Sequence, residues 1–154
     1  IGNRCSGLRI LSLETSFIHD NGGEWLHELA LRNKCLESLN FHLTPLDNYD
    51  YKDLVLIAKN CSESLVSLKL KGCPRKYVVE VFSYAVNLEE FGGDPYIDEG
   101  EEYVGVKFPP KMRRVTWSNG NVLDIRIIQS FCPQLTKLDL RCSRFGSDEH
   151  CFLI

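Results

Sequence analysis

The chain has 154 residues, which is enough for one compact domain or for several units of a repeat array. Hydrophobic residues make up 44% of the sequence and charged residues 25%, which excludes wholesale disorder. The 18 Lys and Arg against 21 Asp and Glu leave a net charge of -3, so we expect no nucleic-acid partner. No apolar run approaches the about 20 residues of a membrane-spanning helix, so we expect no membrane partner. Because the chain begins at Ile1 and not at Met, we expect a piece of a longer protein.

A short pattern of the form Leu-x-x-Leu-x-Leu recurs in six copies, some of them degenerate. The copies begin at Leu8, Leu36, Leu65, Leu88, Met112 and Leu135, with gaps of 28, 29, 23, 24 and 23 residues. All of these gaps lie in the window of roughly 20–29 residues that leucine-rich repeats use. Because successive strand residues face opposite sides, each copy predicts a short strand with its leucines toward the core.

Between these strands the apolar period changes from two to about 3.6, which indicates helices. The apolar helical faces lie within residues 25–30, 54–61, 78–85 and 123–131. Asp50 is the expected N-cap of the second helix, and Ser147 the expected N-cap of a last one. Residues 94–111 carry an acidic run and Pro109-Pro110 without a helical period, so we predict an irregular acidic loop there.

Alternation of strands and helices at this spacing predicts parallel strands joined by helical crossovers. The predicted fold is therefore α/β, a leucine-rich-repeat solenoid spanning residues 1–154. We expect a horseshoe of about six repeats with a parallel concave sheet and convex helices. The expected lining of the concave sheet is polar and of mixed sign, which suits recognition of a protein or an anionic ligand better than catalysis. The candidate partner-binding residues on that face are His42, Lys69, Lys71, Arg114 and Lys137.

The seven cysteines form no C-x-x-C pair, and their odd number is typical of neither a disulfide framework nor a zinc site. We expect reduced, mostly buried thiols. His150 and Cys151 are adjacent, but nothing nearby completes a set of metal ligands, so we predict no metal. His27-Glu28 is not part of an H-E-x-x-H motif because residue 31 is Leu. We therefore predict no catalytic residue and keep a small redox or metal protein as the least favoured hypothesis.

Eight segments carry a family resemblance, and they lie at residues 25–30, 36–41, 53–61, 64–68, 87–91, 107–111, 137–140 and 149–151. Taken together, these segments resemble the plant coronatine-insensitive family of F-box leucine-rich-repeat co-receptors for jasmonate. The resemblance runs in order across nearly the whole chain, and the auxin-receptor F-box proteins match less closely.

This resemblance implies that the parent protein is a plant hormone receptor in jasmonate signalling and defense. It would be the non-catalytic substrate-recognition subunit of an SCF ubiquitin ligase, located in the nucleus, the cytoplasm or both. Its F-box, absent from this chain, would bind a Skp-type adaptor. Its horseshoe would hold a jasmonate conjugate and an inositol phosphate and capture repressors of the jasmonate-ZIM-domain type. The segment itself would cover early-to-middle repeats and hold no cofactor.

One loop that nears the hormone in the family follows the sixth strand. Family members carry Leu-Tyr where this sequence has Arg141-Cys142, so the resemblance implies that these two residues face the ligand. The exchange replaces an apolar wall by a charge. The alternative hypothesis is therefore a leucine-rich-repeat scaffold, with an F-box or without one, that binds a protein and no hormone.

Overall fold

In the computed structural model, the described part of the chain comprises residues 5–14, 23–42, 44, 49–97, 106–118, 128 and 132–141. A six-stranded parallel sheet forms its centre, in the strand order β1-β2-β3-β5-β7-β8. The strands of this sheet are β1 (Ile10–Ser12), β2 (Ser38–Asn40), β3 (Ser67–Lys69), β5 (Glu90–Gly93), β7 (Arg114–Ser118) and β8 (Lys137–Arg141). Each strand coincides with one copy of the recurring leucine pattern, which confirms the predicted α/β class and the parallel pairing.

Three helices follow the first strands, namely α1 (Glu24–Arg32), α2 (Tyr51–Asn60) and α3 (Arg75–Tyr84). Helix α1 packs against α2, and α2 packs against α3. Helix α2 begins after Asp50, whose side chain accepts a hydrogen bond from the backbone N–H of Lys52, as the sequence predicts. The helix predicted within 123–131 lies outside the described residues, apart from Ile128, which is buried. The predicted N-cap at Ser147 also lies outside the described residues.

One apolar row runs across the sheet and forms the centre of the core. The register aligns one apolar residue from each strand, namely Leu11, Leu39, Leu68, Phe91, Val115 and Leu138. All but the last are buried, and the helices cover them with side chains such as Leu26, Ile57 and Phe82. Because burying a large apolar side chain contributes about 1.5–3 kcal/mol, this row sets the strand register.

The corners between helices and strands are held by polar side chains inside the stack. Asn33, only 1% exposed, donates from Nδ2 to the carbonyl of Leu8 at 2.8 Å and accepts at Oδ1 from the N–H of Cys35 at 2.9 Å. The thiol of Cys61 lies 3.5 Å from the backbone oxygen of Asn33. Burial raises the pKa of Cys61 and raises that of Cys132 to about 12, so both remain neutral thiols at these corners.

The segment 94–111 is predicted from the sequence to be an irregular loop. At the two ends that the structure describes, it is more ordered than that prediction. A second, two-stranded parallel sheet joins β4 (Cys73–Pro74) to β6 (Pro95–Tyr96). Val106 and Phe108 are buried, and the Phe108 ring contacts the core aromatics. Residues 98–105 lie outside the described part, so the acidic loop as a whole stays a prediction. No described helix is long and apolar enough to cross a membrane.

Candidate interaction surface

The sheet surface opposite the core consists of two cross-strand rows, and we call it the polar face. The first row is Ile10, Ser38, Ser67, Glu90, Arg114 and Lys137. The second row is Ser12, Asn40, Lys69, Gly92, Thr116 and Asp139. Because both rows alternate with the buried apolar row, they occupy the opposite side of the pleat, as the sequence predicts.

One group of side chains on this face is joined by contacts to Glu90, and we call Ser67, Lys69, Glu90 and Arg114 the Glu90 cluster. The Lys69 ammonium lies 3.1 Å from Oε1 of Glu90, and the Ser67 hydroxyl donates to Oε2 at 3.1 Å. The Arg114 guanidinium, from the next strand, lies 3.6 Å from the same Oε2. One carboxylate therefore joins two of the predicted partner-binding cations.

Two opposing effects act on the pKa of Glu90. Its side chain is 24% exposed, and burial by itself would raise the pKa of the carboxyl group. The hydrogen bond and charge of Lys69, the Ser67 hydroxyl and the Arg114 charge outweigh this and hold the pKa of Glu90 below its ordinary value. Glu90 is therefore a carboxylate at neutral pH, and it reduces the positive charge that Lys69 and Arg114 present to solvent.

Gly92 provides the space in which Lys69 crosses to Glu90. Lys69 is in register with Gly92, two residues beyond Glu90 on the same strand. A Cβ at Gly92 would stand 3.2 Å from Cγ of Lys69, which is closer than normal packing allows. The absence of this Cβ lets the aliphatic part of Lys69 lie against β5 while its ammonium reaches the carboxylate.

The other predicted partner-binding residues lie at the margins of the polar face. Lys137 is exposed and in register with Arg114, so two like charges stand directly opposite each other. Lys71 is exposed just after β3, and neither lysine has an ion-pair partner among the described residues. His42 is half-buried, and its backbone N–H donates to Oδ1 of Asn40 at 3.1 Å. The partner-binding role of all five candidates stays a prediction.

The candidate hormone-facing pair lies at the limit of the described part. Arg141 is the last residue of β8 and is in register with Ser118. Its side chain and the whole of Cys142 lie outside the described residues, so their ligand-facing role stays a prediction. No group of three or more metal-ligating side chains occurs within the described ranges.

The sequence reading missed a cluster of tyrosines beside the small second sheet. Tyr49 and Tyr51 meet edge to face with centroids 4.9 Å apart, and Tyr51 stacks on Tyr77 at 5.4 Å. The Tyr51 and Tyr96 hydroxyls are 3.2 Å apart, and the buried Tyr49 hydroxyl donates to the carbonyl of Lys71 at 2.9 Å. Burial raises the pKa of Tyr49. The sequence did contain a signal for this cluster, because Tyr51 and Tyr77 occupy the first turns of the successive helices α2 and α3.

These features are consistent with an α/β protein of the leucine-rich-repeat type, with the polar face as its candidate interaction surface. No family model matches the chain. The chain is 40% identical over 156 residues to coronatine-insensitive protein homolog 1b of Oryza sativa subsp. japonica. It is 39% identical over 157 residues to coronatine-insensitive protein 1 of Arabidopsis thaliana. It is 31% identical over 160 residues to coronatine-insensitive protein homolog 2 of Oryza sativa subsp. indica.

Each of these alignments covers 100% of the chain but only 26% or 27% of the relative. The chain therefore spans about a quarter of the length of the curated relatives that it matches. The resemblance to coronatine-insensitive proteins that the sequence motifs indicate is confirmed along the entire chain.

Proposed function

We propose that this chain is the early-to-middle leucine-rich-repeat part of a jasmonate-receptor-like F-box protein. The observation that carries the proposal is the identity of 39% to 40% with coronatine-insensitive proteins over every part of the chain. The parallel strands at each recurrence of the leucine pattern support the same assignment. The parent protein would act in jasmonate signalling and defense, in the nucleus, the cytoplasm or both.

The proposed architecture is a horseshoe-shaped solenoid of about six repeats in this chain. Successive packing of α1 on α2 and of α2 on α3 supports stacked units. In this architecture the polar face is the concave surface and the helices are the convex surface. A concave, polar sheet of this kind presents many side chains to a protein partner at once.

In the parent protein, an F-box outside this chain would bind a Skp-type adaptor and so join an SCF ubiquitin ligase. The repeats would capture repressors of the jasmonate-ZIM-domain type as substrates. The role is recognition without catalysis, because ubiquitin transfer would be carried out by other subunits. The mixed charges of the polar face support recognition of a protein better than they support a reaction.

The parent protein would also bind a jasmonate conjugate and an inositol phosphate. Within this chain, the charges that fit a phosphate are those of Arg114 and Lys137, which are neighbours across β7 and β8. Glu90 opposes part of that charge, so we expect repeats outside this chain to supply most of the cations. Arg141 and Cys142 are the residues that would face the hormone.

A second function, protein capture without hormone, is favoured by the charge of Arg141. The family resemblance implies that Arg141-Cys142 replaces a Leu-Tyr pair. A charged side chain at an apolar wall disfavours an apolar hormone ring, because the charge would have to lose its hydration. In this case the protein is a leucine-rich-repeat scaffold, with or without an F-box, whose cargo binds directly.

The experiment that separates these functions uses the full-length parent protein purified from its source tissue. The first function predicts a co-purifying Skp-type adaptor and capture of a repressor that depends on an added jasmonate conjugate. The Arg141→Leu/Cys142→Tyr double variant should strengthen that dependence if these residues face the hormone. Adaptor binding with hormone-independent capture would favour the scaffold, and absence of the adaptor would overturn the ubiquitin-ligase role.

A further inference from the structure

The Glu90 cluster has the composition of a carboxylate-binding site whose carboxylate comes from the chain itself. A hydroxyl donor, an ammonium and a guanidinium from strands β3 and β7 converge on the two oxygens of Glu90. Hydrogen bonds and ion pairs of this kind are the contacts that proteins use to bind carboxylates of partners. Glu90 belongs to β5, the strand between those two, so its side chain fills the position that an incoming carboxylate would take.

We propose that Glu90 is an internal competitor for an acidic segment of a protein partner on the polar face. The partner's carboxylate would displace Glu90 and bind Ser67, Lys69 and Arg114 in its place. This inference rests on the proposed protein-capture function. It adds that the captured segment is acidic and that Glu90 sets the affinity for that segment.

The surroundings of the cluster favour a peptide over a free anion. Thr116 stands beside Gly92 in the second row and offers a neutral hydroxyl to peptide N–H and C=O groups. Beyond Arg114, the exposed Lys137 can meet a second acidic residue of the same segment.

The test measures binding of a fluorescein-labelled hexaglutamate peptide to the purified chain by fluorescence anisotropy at low salt. Glu90→Gln removes the competing negative charge while it keeps the shape of the side chain, so we expect tighter binding by about fivefold. Glu89→Gln is the matched control, because it changes the net charge equally from the adjacent position, outside the polar face. We expect less than about a twofold change for this control.

Two further variants keep the proposal falsifiable if Glu90→Gln folds poorly. Glu90→Asp conserves the net charge but withdraws the carboxylate by one methylene. It should tighten peptide binding as Glu90→Gln does, but by a smaller factor. Adding Arg114→Gln to Glu90→Gln should remove the gain, because the guanidinium would then be missing. Circular dichroism melts of each variant establish that the folded chain is compared.

Equal gains for Glu90→Gln and Glu89→Gln would overturn the proposal, because only the general charge would matter. Weaker peptide binding by Glu90→Gln would overturn it too, since Glu90 would then support binding. A gain for inorganic phosphate without a gain for the peptide would assign the cluster to a free anion and also overturn it. None of these results depends on an adaptor, a repressor or a hormone, so failure here is distinguishable from failure of the ubiquitin-ligase proposal.

Discussion

Gly92 shows at the scale of one residue how a missing side chain positions a charge. In Gly92→Ala the new Cβ would stand 3.2 Å from Cγ of Lys69, so the lysine stem must move away from β5. We expect the pKa of Glu90 to rise toward its ordinary value because its ammonium partner is displaced. Stability should change by less than about 1 kcal/mol, since alanine also lowers the entropy cost of ordering this strand position.

An NMR titration of the Glu90 carboxyl group checks this prediction. Gly7→Ala is the matched control, because no atom lies within 4 Å of the position of its added Cβ. A Glu90 pKa that is the same in Gly92→Ala and in the natural chain would show that the lysine stem does not depend on this gap.

His27 and Asp53 join two neighbouring helices through a single contact. Nδ1 of His27 in α1 lies 2.8 Å from Oδ1 of the nearly buried Asp53 in α2. The hydrogen bond and the charge of Asp53 raise the pKa of His27 above its ordinary value of 6.5, and the charges of Glu28 and Asp50 act in the same direction. Since the folded pKa is the higher one, the charged pair stabilises fully below pH 6.5, and this contribution is lost as pH rises through the folded pKa.

We therefore expect the natural chain to lose free energy of unfolding, relative to His27→Gln, as pH rises from below 6.5 to above the folded pKa. Denaturant titrations of both proteins across this range measure the difference. Using His27→Gln as the reference cancels the titration of the other histidines. A difference that is constant with pH would show that the pair is not charged in the folded protein.

At the scale of elements, the hydrophobic period alone located the strands and the three described helices. It could do so because Leu11, Leu39 and Leu68 must all face the same core. The sheet of β4 and β6 was not predictable, since two residues per strand form no period. The Glu90 cluster was only half predictable. Alternation placed Lys69 and Arg114 on the polar face, but their contact with Glu90 depends on register between distant segments.

Helix α2 is the element whose start depends most on one side chain. Asp50 accepts from the N–H of Lys52 at 2.9 Å, whereas α1 and α3 begin without a side-chain cap. We expect Asp50→Ala to lower the free energy of unfolding by about 1 kcal/mol, because one N–H of the first turn loses its acceptor. Asp50→Asn retains an acceptor, so thermal or urea denaturation should place it within a few tenths of a kcal/mol of the natural chain. Equal losses in both variants would assign the effect to charge and not to capping.

At the scale of the whole molecule, each unit mainly contacts the units before and after it. The sheet order follows the chain order, and the helices pack in the same sequence. A molecule of this kind is stabilised by the sum of its interfaces between neighbours, so damage at one interface should remain local. The asparagines Asn33 and Asn87 at the corners provide a direct way to weaken one interface at a time.

Asn33→Ala should open the first interface and leave the later strands protected. Its side chain bonds the carbonyl of Leu8 and the N–H of Cys35, and leaving such buried groups unsatisfied costs about 1–3 kcal/mol each. Amide hydrogen exchange measured by mass spectrometry should therefore accelerate in β1 and β2, with β5 and β7 unchanged. The matched variant is Asn87→Ala, because Nδ2 of Asn87 donates to the carbonyls of Ser62 and Glu63 two interfaces further along.

For Asn87→Ala the accelerated exchange should shift to β3 and β5. This displacement between the two variants is what local coupling requires, because the amide nitrogen of each asparagine donates to backbone carbonyls of the preceding unit. If both variants instead accelerated exchange equally in every strand, the sheet would open in one cooperative step. The binding surface of the parent protein would then lose its order as a whole when any one repeat is damaged.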